Sequence, residues 1–251
     1  MEENRNDIQA EELTPRRPLR ERLDNFWYHY KWHSIVAVFL IITVLVCSLQ
    51  MCKKEKYDTY ILYAGSFNPS RADADGDGIS EYSRLLSSLK RVAEDFDGNG
   101  EVSLSLVNYL SMTREEIDAA KENLKPGEEL NLIYGDTENL IHTLIYSEYY
   151  VCILSEGVYD TYSTYQGTPL FVPLAPFTTE GREYDYYTDT AIRLTSPALE
   201  AFRALPGIAE LPPDTLICLR AKSSFADKVG PEKNSKNYEN AKEVIRNILG
   251  Y

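Results

Sequence analysis

An uncharged, largely apolar run at residues 34–49, SIVAVFLIITVLVCSL, constrains this chain more than any other feature. Extended to residues 33–52 it makes about 20 residues, or about 30 Å of helix, which is the thickness of a bilayer's hydrocarbon core. Just before it stands Phe26-Trp27-Tyr28-His29-Tyr30-Lys31-Trp32, containing both tryptophans of the protein. Such rings suit the headgroup level, where an apolar face and a polar edge are both satisfied. Arg16, Arg17, Arg20, Arg22 and Lys31 precede the run, and Lys53, Lys54 and Lys56 follow it. The small basic excess on the leading side predicts a cytoplasmic N-terminus. A cleaved signal peptide fits less well, because a long polar stretch precedes the run and no small-residue cleavage site follows. The expected organisation is therefore a cytoplasmic tail with an aromatic juxtamembrane segment (residues 1–32), a transmembrane helix in the lipid bilayer (33–52), a linker (53–56) and an extracytoplasmic domain (57–251).

Charge narrows what that domain can meet. The formal net charge is −13, and 32 of the 39 acids but only 20 of the 26 bases lie beyond residue 52. Nucleic acid is an unfit partner for such a surface, since phosphates demand clustered Lys and Arg. An acidic surface attracts divalent cations; equally, it is a solvated face that keeps a domain soluble.

Hydrophobic periodicity predicts an α/β domain. Strands are expected at residues 57–64, 102–110, 130–134, 150–154, 170–172, 191–194 and 215–219. Helices are expected at 82–95, from the capping box Thr113-Arg114-Glu115-Glu116 to Pro126-Gly127, at 138–146, from Ser196-Pro197 to Pro206-Gly207, and at 238–249. Strand and helix alternate throughout, which favours a sheet with helical crossovers over a sandwich or a bundle. Ligands on such sheets lie beyond the carboxyl ends of the strands. That points to the turns Gly65-Ser66-Phe67-Asn68 and Gly135-Asp136-Thr137. Cys152 and Cys218 fall inside strand-like segments, either as buried free thiols or as a disulfide between neighbouring strands.

Two acidic turns carry the sharpest chemistry. In Asp73-Ala-Asp75-Gly-Asp77-Gly78-Ile79-Ser-Glu81, carboxylates at positions 1, 3, 5 and 9 and the carbonyl of Ile79 at position 7 match the front of an EF-hand calcium loop. Position 12, normally a bidentate acid, is Arg84. The second turn supplies Asp95, Asp97, Asn99 and Glu101, with Leu106 at position 12. Calcium is the candidate cofactor; at the first turn the alternative is a solvent-facing Asp/Gly turn capping the following helix, and at the second the turn reading is favoured over calcium, since Asn-Gly before an alternating strand is ordinary turn chemistry. These loops resemble the calcium segments of dockerin modules and stand 22 residues apart. Both lack the last acidic ligand and a strand follows the second, so they read as single calcium-loop-like turns within an α/β domain.

No Gly-x-Ser-x-Gly, His-Glu-x-x-His, phosphate-binding glycine loop or dinucleotide fingerprint occurs, and His142 is the only histidine beyond the apolar run. No catalytic residue is assigned. Tyr184, Tyr186 and Tyr187 offer rings for stacking on a ligand or for paving a sheet.

The segment 26–33 resembles the Tyr-Lys-Trp-His signature of an uncharacterised family of single-pass membrane proteins from Gram-positive clostridia and their relatives. Residues 150–159 and Gly167-Thr-Pro-Leu-Phe-Val-Pro-Leu174 match a second pattern of that family, a strand, short helix and strand in the order found in solute-binding proteins. The resemblance implies an extracytoplasmic domain of periplasmic-binding-protein architecture. The function expected is non-enzymatic binding of a small molecule or cell-surface protein. The alternatives are calcium-dependent docking and a surface hydrolase using two carboxylates.

Overall fold

The computed structural model describes residues 19–52, 57–70, 76–123 and 137–251. The chain divides into two compact units, residues 1–55 and 56–251. The first contains one long helix, α1 (Leu19–Cys52). It starts well before the apolar run because residues 19–52 contain neither Gly nor Pro to interrupt it. Within it Tyr30–Ser48 is long and apolar enough to cross a membrane, and none of that stretch is buried by the protein.

The second unit is a mixed α/β domain. Its six-stranded sheet has the order β2-β1-β3-β8-β7-β6, built from β1 (Thr59–Gly65), β2 (Leu104–Leu110), β3 (Val151–Ser155), β6 (Tyr186–Thr188), β7 (Ala191–Arg193) and β8 (Thr215–Leu219). β1 lies between two parallel neighbours, β2 and β3. β8, β7 and β6 then continue the sheet through antiparallel pairings. A separate two-stranded hairpin is formed by β4 (Thr164–Tyr165) and β5 (Thr168–Pro169).

Side-chain alternation along the central strands explains the layering. Ile61 and Tyr63 of β1, Ile153 of β3 and Ile217 of β8 point to one face. There they meet Leu85 and Leu89 of α2 (Glu81–Leu89) and Val244, Ile245 and Ile248 of the terminal helix α8 (Pro231–Gly250). Leu62, Cys152, Leu154, Leu216 and Cys218 point to the other face. They meet Leu140 and Leu144 of α4 (Thr137–Tyr146) and Val158 of α5 (Glu156–Tyr162). Helices cover both faces, so the strands read as continuous apolar runs. Cys152 and Cys218 stand directly opposite each other in the β3–β8 pair, buried and as free thiols.

Most expected elements are present, with informative shifts. The capping box forms as predicted: the Thr113 N–H donates to Glu116 Oε2 at 2.6 Å and the Glu116 N–H to Thr113 Oγ1 at 3.3 Å, opening α3 (Arg114–Asn123). α2 ends at Leu89 rather than residue 95, because tighter turns follow in which Arg91 and Val92 donate to the carbonyls of Ser88 and Leu89. The expected helix from Ser196 is a 3₁₀ turn, Pro197–Leu199, followed by the short α6 (Glu200–Arg203). Gly207 has φ +76°, and a Cβ there would lie 2.3 Å from the Leu85 backbone nitrogen, so this turn tolerates only glycine. α8 begins at Pro231, seven residues earlier than its apolar face suggests. The early turns bury Asn234, Asn237 and Asn240 instead of aliphatic groups. Residues 170–172 contribute a single bridge, Phe171 to Arg220. The expected strand at 130–134 lies outside the described residues.

Candidate functional site

A cavity of about 460 Å³ opens where three distant segments meet. The end of α4 contributes Leu144, Ile145 and Tyr146; the β4–β5 hairpin contributes Tyr165, Gln166, Thr168 and Pro169; the segment after β8 contributes Arg220 to Phe225, with Lys228 from α7 (Ser224–Val229). The volume lies in the range of small-molecule clefts. The hairpin turn places Gln166 at φ 51° and Gly167 at φ 77°, the two positive angles of a tight two-residue turn. Gln166 is the one non-glycine residue with positive φ among the described residues, and it stands on the rim.

Arg220 fixes one wall. Its side chain is 1% exposed and its guanidinium lies 4.7 Å from the Tyr150 ring centre. It donates to the carbonyls of Thr143, Leu144 and Ser147, at the C-terminal end of α4. The Thr143 carbonyl also takes the Ser147 N–H at 3.3 Å, and these carbonyls carry the negative end of the helix dipole, so a buried cation is stabilised there without a carboxylate. Burial still pulls its pKa below the usual arginine value. Its Nε has no acceptor among the described residues. Around it, Tyr150 Oη donates to Asn234 Oδ1, and Asn234 Nδ2 donates to the Ser223 carbonyl at 3.2 Å and to Asp227 at 2.9 Å.

The two lysines of the cleft differ. Lys222 Nζ is 2.9 Å from Asp227 and 2.9 Å from Ser235 Oγ. Lys228 is exposed and has no ion pair among the described residues. Among the described residues no Asp or Glu lines the cavity. Tyr146 and Phe225 make an edge contact at 5.0 Å between ring centres, and Phe225 remains 50% exposed. In a chain of net charge −13 this cleft is a local concentration of cations and aromatic rings.

Of the first acidic turn, Asp73 and Asp75 lie outside the described residues. Asp77 Oδ1 accepts the Ile79 N–H at 2.9 Å and its Oδ2 takes Arg84 Nη2 at 2.5 Å. These contacts hold the Asp77 carboxyl below its usual range, the Ile79 N–H contributing most. Glu81 is buried as the first residue of α2, 3.6 Å from Arg84 Nε. The arginine at position 12 thus faces two of the expected calcium ligands.

The second turn is organised by its own backbone. Asp95 accepts the N–H groups of Gly98, Asn99 and Gly100, which hold its carboxyl below the usual range. Asp97 accepts from Asn99, and Asn99 Oδ1 from the Glu101 N–H. Asp58 was not identifiable from the loop pattern, because it precedes β1 in the chain. It accepts the N–H groups of Phe96, Asp97 and Ser103 and the Ser103 hydroxyl. Oxygen atoms of Asp58, Asp95 and Asp97 lie within 4.8 Å of one another, so these three could hold a cation. Four donors already occupy the roughly four lone-pair sites of Asp58. A groove of about 390 Å³ beside this turn is lined by Tyr57, Tyr60, Phe96 and Asp97 with Lys233 and Lys236 of α8.

The remaining candidates are dispersed. Gly65 closes β1 beside Tyr63 and Ser155, while Gly135 and Asp136 lie outside the described residues. Tyr63 has its pKa raised by burial first and by Asp214 second. Tyr184 Oη donates to the Leu249 carbonyl at 2.8 Å, tying the sheet edge to the end of α8. Tyr187 Oη donates to Asp160, a bond that with some burial pushes its pKa up to about 12. Tyr186 is exposed on the edge strand. His142 is exposed and contacts the Tyr146 ring at 5.0 Å.

Fold and cleft together define a mixed-sheet α/β domain that follows a helix long and apolar enough to span a membrane. No family model, curated protein or solved structure matches the chain.

Proposed function

We propose that this chain is a membrane-anchored, extracytoplasmic, non-enzymatic binding protein whose small-molecule ligand sits in the cleft between α4, the β4–β5 hairpin and the segment after β8. One observation carries the reading: a cavity of about 460 Å³ is walled by aromatic rings and cations in an otherwise acidic protein. Apolar walls with a few placed polar groups are the usual make-up of a ligand site. The resemblance to solute-binding proteins agrees with a tethered receptor for a solute, and the basic excess before the apolar run agrees with an outward-facing domain. The test is ligand-induced stabilisation of the full chain in a non-ionic detergent, screened with small organic solutes. A ligand that binds the folded state raises the unfolding temperature by mass action. The reading expects shifts that disappear in Phe225→Ala; shifts insensitive to that change would place binding elsewhere.

A second reading, calcium-dependent docking of a cell-surface partner, rests on the proximity of the Asp58, Asp95 and Asp97 oxygens. It predicts a higher unfolding temperature in millimolar calcium than in EDTA, an increase removed by Asp97→Ala. Equal temperatures in the two buffers would leave the turn as a self-satisfied structural element.

A further inference from the structure

We infer that the cleft selects a small organic anion, a carboxylate or phosphate monoester carried on a flat apolar ring, with its charged end at Lys228 and its ring against Tyr146, Tyr165 and Phe225. The inference rests on the cleft being the ligand site and adds the chemical class that fits it.

The three cations of the cleft are not equivalent. Arg220 is buried, and its donors already serve the carbonyls of Thr143, Leu144 and Ser147. Its charge is compensated by the end of α4, and its role is to hold that wall in place. Lys222 shares its charge with Asp227 at 2.9 Å. Lys228 alone is exposed and lacks an ion pair among the described residues. Among the described residues no acidic side chain lines the cavity to compete for it. One open cationic position therefore remains, which suits a ligand with a single anionic group. A cationic ligand would meet Lys228 with no acidic side chain among the described lining residues to offset the repulsion.

The apolar part follows from the rings. Phe225 is 50% exposed, Tyr146 is 37% exposed and Tyr165 is 36% exposed, around one opening. Phe225 and Tyr146 meet edge to face at 72°, and Phe225, half exposed, makes no other ring contact among the described residues. Aromatic surface of this kind, left in water beside a cavity, is stabilised by covering it with another flat apolar group. The hydroxyls of Ser224 and Thr168, which have no hydrogen-bond partner among the described residues, are available to the anionic group or to a ring substituent.

The experiment is isothermal titration of the full chain in non-ionic detergent with three probes of similar size: phenyl phosphate, benzyl alcohol and benzylamine. The inference expects phenyl phosphate to bind most tightly, by roughly tenfold over the alcohol, the effect of one charge-assisted contact. It expects Lys228→Gln to remove most of that preference and Phe225→Ala to weaken phenyl phosphate and benzyl alcohol alike. Both side chains are exposed, and an unchanged unfolding temperature verifies that each variant is folded. Equal binding of alcohol and phosphate, still lost in Phe225→Ala, overturns the anionic class and leaves the cleft as a ligand site. Phosphate binding that neither substitution affects places the anion elsewhere and overturns the inference. Absence of binding by all three probes overturns both this inference and the reading beneath it.

Discussion

Replacing Arg220 by methionine tests the wall on which the cleft depends. Methionine matches the apolar stem in length but leaves the carbonyls of Leu144 and Ser147 without the guanidinium donors they have in the native protein. Thr143 loses a third, longer contact of 3.4 Å. Leaving a buried acceptor unsatisfied costs about 1–3 kcal/mol each. Part is offset, because the substitution also removes the cost of burying a charge. Loss of the guanidinium's stacking on Tyr150, 4.7 Å away, adds to the damage. The net expectation is a loss of about 3 kcal/mol. For a domain of this size that lowers the unfolding temperature by roughly 6–12 °C. The assay is thermal and urea unfolding of residues 56–251, a compact unit with its own core. Arg220→Lys should fall between the native protein and Arg220→Met, since an ammonium lacks the guanidinium's planar fork, whose Nη1 and Nη2 serve Leu144 and Ser147 separately. A loss under about 1 kcal/mol for Arg220→Met would refute the claim that this cation holds the end of α4.

Other consequences follow from the same structure. Asp58→Ala removes four accepted hydrogen bonds and should destabilise the domain by about 3 kcal/mol, with Asp58→Asn milder; urea unfolding reads both. Cys152 and Cys218 are buried, which pushes the Cys152 thiol up to about 12 and Cys218 upward as well. Both should resist Ellman's reagent at neutral pH in the folded domain and react fully in denaturant. Asp95 has its folded pKa below the ordinary carboxylate value, so the stability it contributes is complete above that value. It is lost as pH falls through the folded pKa. Unfolding midpoints between about pH 5 and pH 2 should therefore drop less steeply in Asp95→Asn than in the native protein.

Local sequence pattern made the sheet legible where burial is two-sided. The expected strand at 215–219 coincides with β8, and the apolar runs before residues 65 and 155 become β1 and β3. At the antiparallel edge the expected strand at 191–194 is β7, whereas β6, a three-residue segment whose pairing depends on its neighbour rather than on periodicity, has no counterpart among the expected strands. The first turns of α8 were missed for a different reason. Asn234, Asn237 and Asn240 are buried by hydrogen bonds, and no hydrophobic stripe announces them.

The cleft was not legible at all. Its walls come from residues 144–146, 165–170, 220–225 and 228, and no local motif joins them. One signal was available: Arg220 directly follows the apolar strand Thr215–Leu219, where a charge demands a partner. The acidic turns show the converse. Their spacing was conspicuous, yet in the described part the donors found are backbone N–H groups and Arg84.

The central claim is that the cleft binds a ligand, and a reporter placed on its rim tests it most directly. Both tryptophans lie in α1, so residues 56–251 contain none, and Phe225→Trp creates a single tryptophan at the opening, excited selectively over the tyrosines. Titration of that domain with phenyl phosphate should give a saturable change in emission, weakened by Lys228→Gln. An emission that stays flat with phenyl phosphate, benzyl alcohol and benzylamine alike, in a domain whose unfolding temperature is native, would contradict the account.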